Sequence, residues 1–84
     1  MMEKEKDFHV FRLEYNYDQG HFHLDTGSHP ANTFGWVTIC EEIRDPYGSR
    51  FIAWVWKIYK GDDKPSIYAV KVLFKEWSSN RKIN

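Results

Sequence analysis

Residues 45–60 read DPYGSRFIAWVWKIYK and give the strongest indication of the fold of this 84-residue chain. The first four, from Asp45 to Gly48, have the composition of a type I turn, with Asp first, Pro second and Gly last. Residues 50–60 that follow are rich in the β-branched and aromatic side chains that favour strands. Because a tight turn between two such runs is typical of a hairpin, we predict a strand over residues 50–60.

The segments on either side of this stretch each fit two interpretations. Residues 34–43 alternate as a strand or form a helical stripe, but Gly35 and the β-branched residues disfavour a helix. The tight turn that follows favours the strand, as the first arm of a hairpin with residues 50–60. Residues 67–77 also alternate as a strand, and their composition favours that reading slightly. A helix is the open alternative there, because Asp63 and Pro65 would suit its start. Its apolar stripe would be Ile67, Val70, Phe74 and Trp77.

The N-terminal part of the chain predicts a second hairpin. Residues 8–15 alternate between apolar and polar side chains, and Gly20 ends a run of turn-forming residues after them. Residues 21–24 would return as a short strand. Residues 25–33 are nearly all turn or loop formers, so we expect the longest loop there.

Together these segments predict a mainly β fold. A hairpin followed by a three-stranded meander would close into a five-stranded antiparallel small barrel or sandwich. The alternative is an α+β fold, in which a four-stranded antiparallel sheet carries a C-terminal helix. We expect one β domain over residues 8–77, a flexible N-terminus over residues 1–7 and a polar tail over residues 78–84.

The composition predicts a globular chain without a dedicated charged surface. Aromatic residues make up 18% of it, whereas a disordered chain would be poor in them. Its 12 basic residues balance its 12 acidic ones, so there is no long-range attraction to nucleic acid or anionic lipid.

The single cysteine, Cys40, cannot form an internal disulfide, which fits a reducing, cytoplasmic location. The sequence has no apolar run long enough to span a membrane, and its charged start lacks the apolar stretch of a signal peptide. We therefore expect no membrane partner.

Histidines and an aspartate supply the one pattern with metal-ligand spacing. His21, His23 and Asp25 are two residues apart, so on a strand all three point to the same face, and His29 follows in the loop. Imidazole and carboxylate groups are ligands that zinc prefers. Such residues are also common on exposed edge strands without any ion. We expect no cofactor, with zinc at these four residues as the alternative.

Catalytic patterns have little support in this chain. Cys40 lies in an apolar run without a cationic neighbour, where a thiol is usually inert. Ser28 and His29 are adjacent in sequence, but adjacency does not build a triad, and no nucleophile elbow is present. We therefore expect a protein that is not an enzyme.

The excess of apolar residues predicts a binding module. If residues 50–60 and 67–77 are strands, both of their faces are apolar and need a second cover. That cover would be another part of the chain, a protein partner or a second copy in a homodimer. We expect an inhibitor, an immunity-type protein or a small subunit acting through a sheet face or edge.

Single-stranded nucleic acid, bound by aromatic stacking and basic residues, is the alternative partner. The residues expected to contact a partner are Trp54, Trp56, Tyr59, Trp77, Tyr47 and Arg50.

Overall fold

The computed structural model describes residues 10–60 and 63–83, which form three strands followed by two helices. The strands make one antiparallel sheet in the order β2-β1-β3. The elements are β1 (Val10–Asn16), β2 (His21–Asp25), β3 (Trp36–Arg44), α1 (Tyr47–Ile58) and α2 (Ile67–Ile83).

The predicted five-stranded barrel or sandwich is wrong, because the described residues form an open three-stranded sheet with two helices. This is an α+β fold. The alternative prediction, a sheet with a C-terminal helix, fits roughly. It expected a fourth strand where the structure has α1.

The strands of the N-terminal half confirm the sequence prediction. The first hairpin is β1 and β2, and the ambiguous run at residues 34–43 is a strand, β3. Regular alternation identified β1, which has one side against the core and one side away from it. The strand interpretation of residues 34–43 is right, although the hairpin with residues 50–60 that favours it does not form. The flexible segment expected at residues 1–7 lies outside the described residues, as do the first two residues of the strand predicted at 8–15.

Residues 50–60, predicted as a strand, mostly belong to helix α1. Apolar residues there run almost without interruption, so they fit a period of 3.6 as well as a period of two. Phe51 and Val55, four residues apart, are both fully buried. The three-stranded meander therefore does not form. The apolar residues of this segment lie on a helix that packs against the sheet.

The turn predicted at residues 45–48 is instead the start of α1. Asp and Pro before an apolar run also signal a helix start, and Pro46 is at the N-cap position. Gly48 allows a close approach to the sheet, since a Cβ at this residue would lie 3.0 Å from Leu24 Cδ2.

Residues 67–77 form helix α2, so the slight preference for a strand there is wrong and the helical alternative is right. Ser66 starts the helix, because its Oγ accepts a 3.1 Å hydrogen bond from the Ala69 N–H, which is typical of an N-cap serine. The helix extends through residues 78–83, which the sequence analysis assigned to a polar tail. Neither described helix is long and apolar enough to cross a membrane.

The core lies between the two helices and one face of the sheet. Leu13 and Tyr15 from β1 are fully buried there, and the Tyr15 hydroxyl donates a 2.9 Å hydrogen bond to the Pro65 carbonyl just before α2. Phe51 is central, with its ring within about 6 Å of four other aromatic rings. The buried apolar residues are Leu13, Tyr15, Ile43, Phe51, Val55, Val70 and Trp77.

We expect Phe51→Ala to lower the free energy of unfolding by about 3–5 kcal/mol, because it leaves a cavity among packed aromatic rings. Urea unfolding followed by circular dichroism measures this loss. Tyr68→Ala is the matched control, since Tyr68 is 77% exposed on α2 and its change should stay within about 0.5 kcal/mol. Equal losses in the two variants would contradict the packing described.

Candidate functional site

The face of the sheet opposite the helices carries polar residues from all three strands. In the register of β1 and β2, Arg12 lies opposite Asp25 and Glu14 lies opposite His23. On the other side of β1, Glu14 lies opposite Thr38 of β3. Directly paired residues point to the same face of a sheet, so these side chains form one group.

The loop between β2 and β3 covers this group and is anchored by Asp25. The Asp25 carboxylate accepts hydrogen bonds from the Gly27 N–H at 2.7 Å, the Ser28 N–H at 3.1 Å and the Ser28 hydroxyl at 2.6 Å. Gly27 has φ +99°, which suits glycine at this tight turn. The turn brings His29 back over the sheet.

Arg12 links the carboxylates to the loop. Its Nε donates to Glu14 Oε2 at 3.0 Å, and its Nη2 donates to Asp25 Oδ2 at 3.0 Å and to the His29 carbonyl at 2.6 Å. Glu14 is fully buried and Asp25 is 4% exposed. A guanidinium is the group best suited to two buried carboxylates, since it stays charged and offers several donors in one plane.

The His29 imidazole lies between the two carboxylates. Its Nε2 is 3.1 Å from Glu14 Oε1, and its Nδ1 is 3.5 Å from Asp25 Oδ1. His23 approaches the same Glu14 oxygen, with its Nδ1 at 3.7 Å. The His23 ring also packs on Trp36, with ring centroids 4.7 Å apart. Two imidazoles therefore converge on one buried oxygen.

The Ser28 hydroxyl lowers the pKa of Asp25 below its usual value. Burial acts in the opposite direction, while the Gly27 amide, His29 and Arg12 add to the lowering. Hydrogen bonds and positive charge favour the ionised form of a carboxyl group. Asp25 is therefore a carboxylate at neutral pH.

The structure assembles three of the four residues predicted as metal ligands and adds one. Glu14, Asp25 and His29 each offer a donor atom, all within 4.8 Å of one another, and His23 lies beside them. His21 is exposed at the end of β2 next to the turn. Sequence analysis missed Glu14, whose only signal was its place on the polar face of the first strand.

Most residues predicted to contact a partner are packed in the domain. Trp77 is 7% exposed, and its ring lies 5.2 Å from that of Trp54. Arg50 is exposed on α1. The remaining three are half-buried against the core, namely Trp56, Tyr59 and Tyr47.

A groove of about 850 Å³ lies along β3 and continues towards both helices. Val10, Ile43 and Phe74 are among its apolar walls, and Glu42 and Arg44 add charge to its lining. Cys40 also lines it, and burial raises the pKa of this thiol. This groove was not predicted, because Tyr47 and Phe74 in its lining lie on helices where a turn and a strand were expected.

We expect Ser28→Ala to raise the pKa of Asp25, because it removes the largest cause of the lowering. An NMR titration of the side-chain carboxyl measures this, and Thr26→Ala in the same loop is the control. Since the folded pKa lies below the unfolded value of about 3.9, Asp25 contributes stability above that pH, and the contribution is lost as the pH falls through the folded pKa. In the Ser28→Ala variant this contribution should be smaller, and its loss should be complete at a higher pH. An unchanged Asp25 titration would contradict this origin of the shift.

We expect Arg12→Ala to lower the free energy of unfolding by about 3 kcal/mol, because two buried carboxylates lose their guanidinium partner. Arg50→Ala is the control, since Arg50 is exposed on α1. Denaturant unfolding at neutral pH compares the two. A loss no larger for Arg12 than for Arg50 would show that the buried network adds little to stability.

Neither a protein family, nor a curated protein, nor a solved structure matches this chain. The geometry of the described residues is therefore what indicates a function. Two features of that geometry stand out, the histidine and carboxylate cluster on one face of the sheet and the groove along its edge.

Proposed function

We propose that this domain is a non-enzymatic binding module that adds an extended segment of a protein partner to the outer edge of β3. The observation that supports this proposal is the position of that strand. Within residues 10–60 and 63–83, β3 pairs with β1 on one side only, and it is nine residues long. The edge of a strand offers a row of backbone donors and acceptors. On β3 the Thr38 N–H already donates to Asn32 Oδ1 at 3.3 Å, and the Glu42 carbonyl accepts a hydrogen bond from the Cys40 thiol.

The groove beside β3 would provide the specificity. In strand addition, backbone hydrogen bonds supply affinity, and pockets for alternate side chains of the bound segment supply selectivity. Ile43 and Phe74 would receive apolar side chains that point from the added strand towards the helices, and Val10 also lines the groove. The occupant is therefore an extended peptide with alternating apolar residues.

Charges on β3 restrict which segments can pair with it. Glu41, Glu42 and Arg44 are exposed along the strand. Exposed charges on an edge strand disfavour indiscriminate pairing between sheets. A partner segment with a basic residue opposite the two glutamates would be favoured over other extended peptides, and over a second copy of this chain.

Nucleic-acid binding and the cellular location have less structural support than peptide binding. Trp54 and Trp56 pack against the core, so nucleic-acid binding by base stacking remains a prediction that no observation on the described residues favours. We also propose a reducing, cytoplasmic location, because Cys40 is a free cysteine.

We expect Val10→Glu to weaken peptide binding by at least about tenfold, because it places a charge in an apolar groove. Val10 is 41% exposed, so the variant should fold. The ligands are peptides selected on the immobilised domain from a displayed library, with affinities measured by titration calorimetry. Val72→Glu is the matched control, since Val72 is 38% exposed on α2 and does not line the groove.

Backbone NMR locates the bound peptide. We expect chemical-shift changes in β3 amides and new protection of edge amides from hydrogen exchange, because added-strand hydrogen bonds shield them. Selected peptides that bind Val10→Glu and Val72→Glu equally, or that shift only amides away from β3, would contradict the proposal. A mass that rises with concentration in light scattering would show that a second copy takes the edge instead.

A further inference from the structure

The Glu14 carboxylate contacts both histidines as well as Arg12. Its Oε2 accepts a hydrogen bond from Arg12 Nε at 3.0 Å and lies 3.3 Å from His29 Nε2. Its Oε1 faces two imidazole nitrogens, His29 Nε2 at 3.1 Å and His23 Nδ1 at 3.7 Å. Oε1 is thus the oxygen on which histidines from β2 and the loop both converge.

The distances from Glu14 Oε1 to the two histidine nitrogens suit a shared metal ion. With metal–ligand bonds of about 2.0–2.1 Å in a tetrahedral site, neighbouring ligand atoms lie about 3.3 Å apart. The two distances from Glu14 Oε1 lie on either side of that value. Two imidazoles and one carboxylate also form a ligand set typical of zinc sites with an open position.

The charge balance of the cluster favours a cation. Glu14 and Asp25 carry two negative charges, and among the side chains they contact directly Arg12 is the permanent positive charge. The two buried carboxylates thus outnumber the permanent cations that contact them directly. Buried carboxylates are costly unless they are paired.

Asp25 acts on the other side of the His29 ring. Its Oδ1 lies 3.5 Å from His29 Nδ1, while Nε2 of the same ring faces Glu14. A carboxylate beside the second ring nitrogen of a histidine ligand orients the ring and fixes its tautomer.

Across from Glu14, the buried Thr38 hydroxyl has no hydrogen-bond partner among the described residues, so a polar group beside the cluster is left without a hydrogen bond.

We propose that Glu14 Oε1, His23 Nδ1 and His29 Nε2 bind one zinc ion, with Asp25 orienting His29. Glu14 is fully buried and the His23 side chain is 45% exposed, so the ion enters from the His23 side and keeps its fourth position there for water. His21, two residues before His23 on the same strand, is not a ligand. This site is separate from the groove proposed to bind a peptide.

The test uses the full chain, stripped with a chelator and titrated with zinc chloride by calorimetry and by thermal melting. We expect one ion per chain, and a melting temperature raised by roughly 10 °C when zinc is present at about 100 times its dissociation constant. Added chelator should reverse the shift. Calcium and magnesium should give no shift, because they prefer oxygen ligands.

Paired histidine variants locate the site. We expect His23→Ala to weaken zinc binding by more than about 100-fold and His21→Ala, its exposed neighbour, to leave it unchanged. Asp25→Asn should weaken it by about 10–100-fold, which is usual for a residue that supports a ligand. Circular dichroism of each stripped variant checks its fold. Since His23 is largely exposed, its variant should fold and give a clear result.

Three results would overturn the proposal. An unchanged melting curve and no heat on zinc addition would mean that the cluster binds no zinc. Loss of binding in His21→Ala but not in His23→Ala would place the ion elsewhere. A shift with calcium and not with zinc would exclude histidine ligation. Val10→Glu should bind zinc normally, so failure of the peptide proposal can be told from failure of this one.

Discussion

The contacts of Arg12 determine the polar half of this domain. One guanidinium contacts Glu14, Asp25 and the His29 carbonyl, and thereby joins β1, β2 and the long loop. Two carboxylates with almost no exposure can stay ionised there because a permanent positive charge and several N–H donors lie beside them. The loop then folds back over the sheet, and its histidine is placed against the carboxylates.

Strand β1 serves both sides of the sheet. Leu13 and Tyr15 point to the helices and are fully buried, while Arg12 and Glu14 point to the loop. Because neighbouring residues of a strand alternate between faces, an apolar core and a polar cluster share one backbone a few ångströms apart. The sheet thus separates a surface suited to an ion from a groove suited to a peptide, and both depend on the position of β1.

The two helices show why periodicity alone was insufficient. Alternation identified β1, since its apolar residues occupy one face. In β3 the β-branched residues and Gly35 favour the strand. In residues 50–60 the apolar residues are nearly continuous, and in residues 67–77 strand and helix patterns coincide. Composition favoured strands in both segments, whereas packing on the single apolar face of the sheet required helices. The Ser66 cap was the local signal that the sequence analysis did not use.

Residue type and the two-residue period of a strand are enough to predict the three strands, the long loop and the common face of His23 and Asp25. Local pattern does not show that α1 and α2 are helices, that Glu14 joins the histidines or that His21 stays outside the cluster. Those outcomes depend on strand register and on the return of the loop across Arg12. They are contacts between residues distant in the chain, which local pattern does not specify.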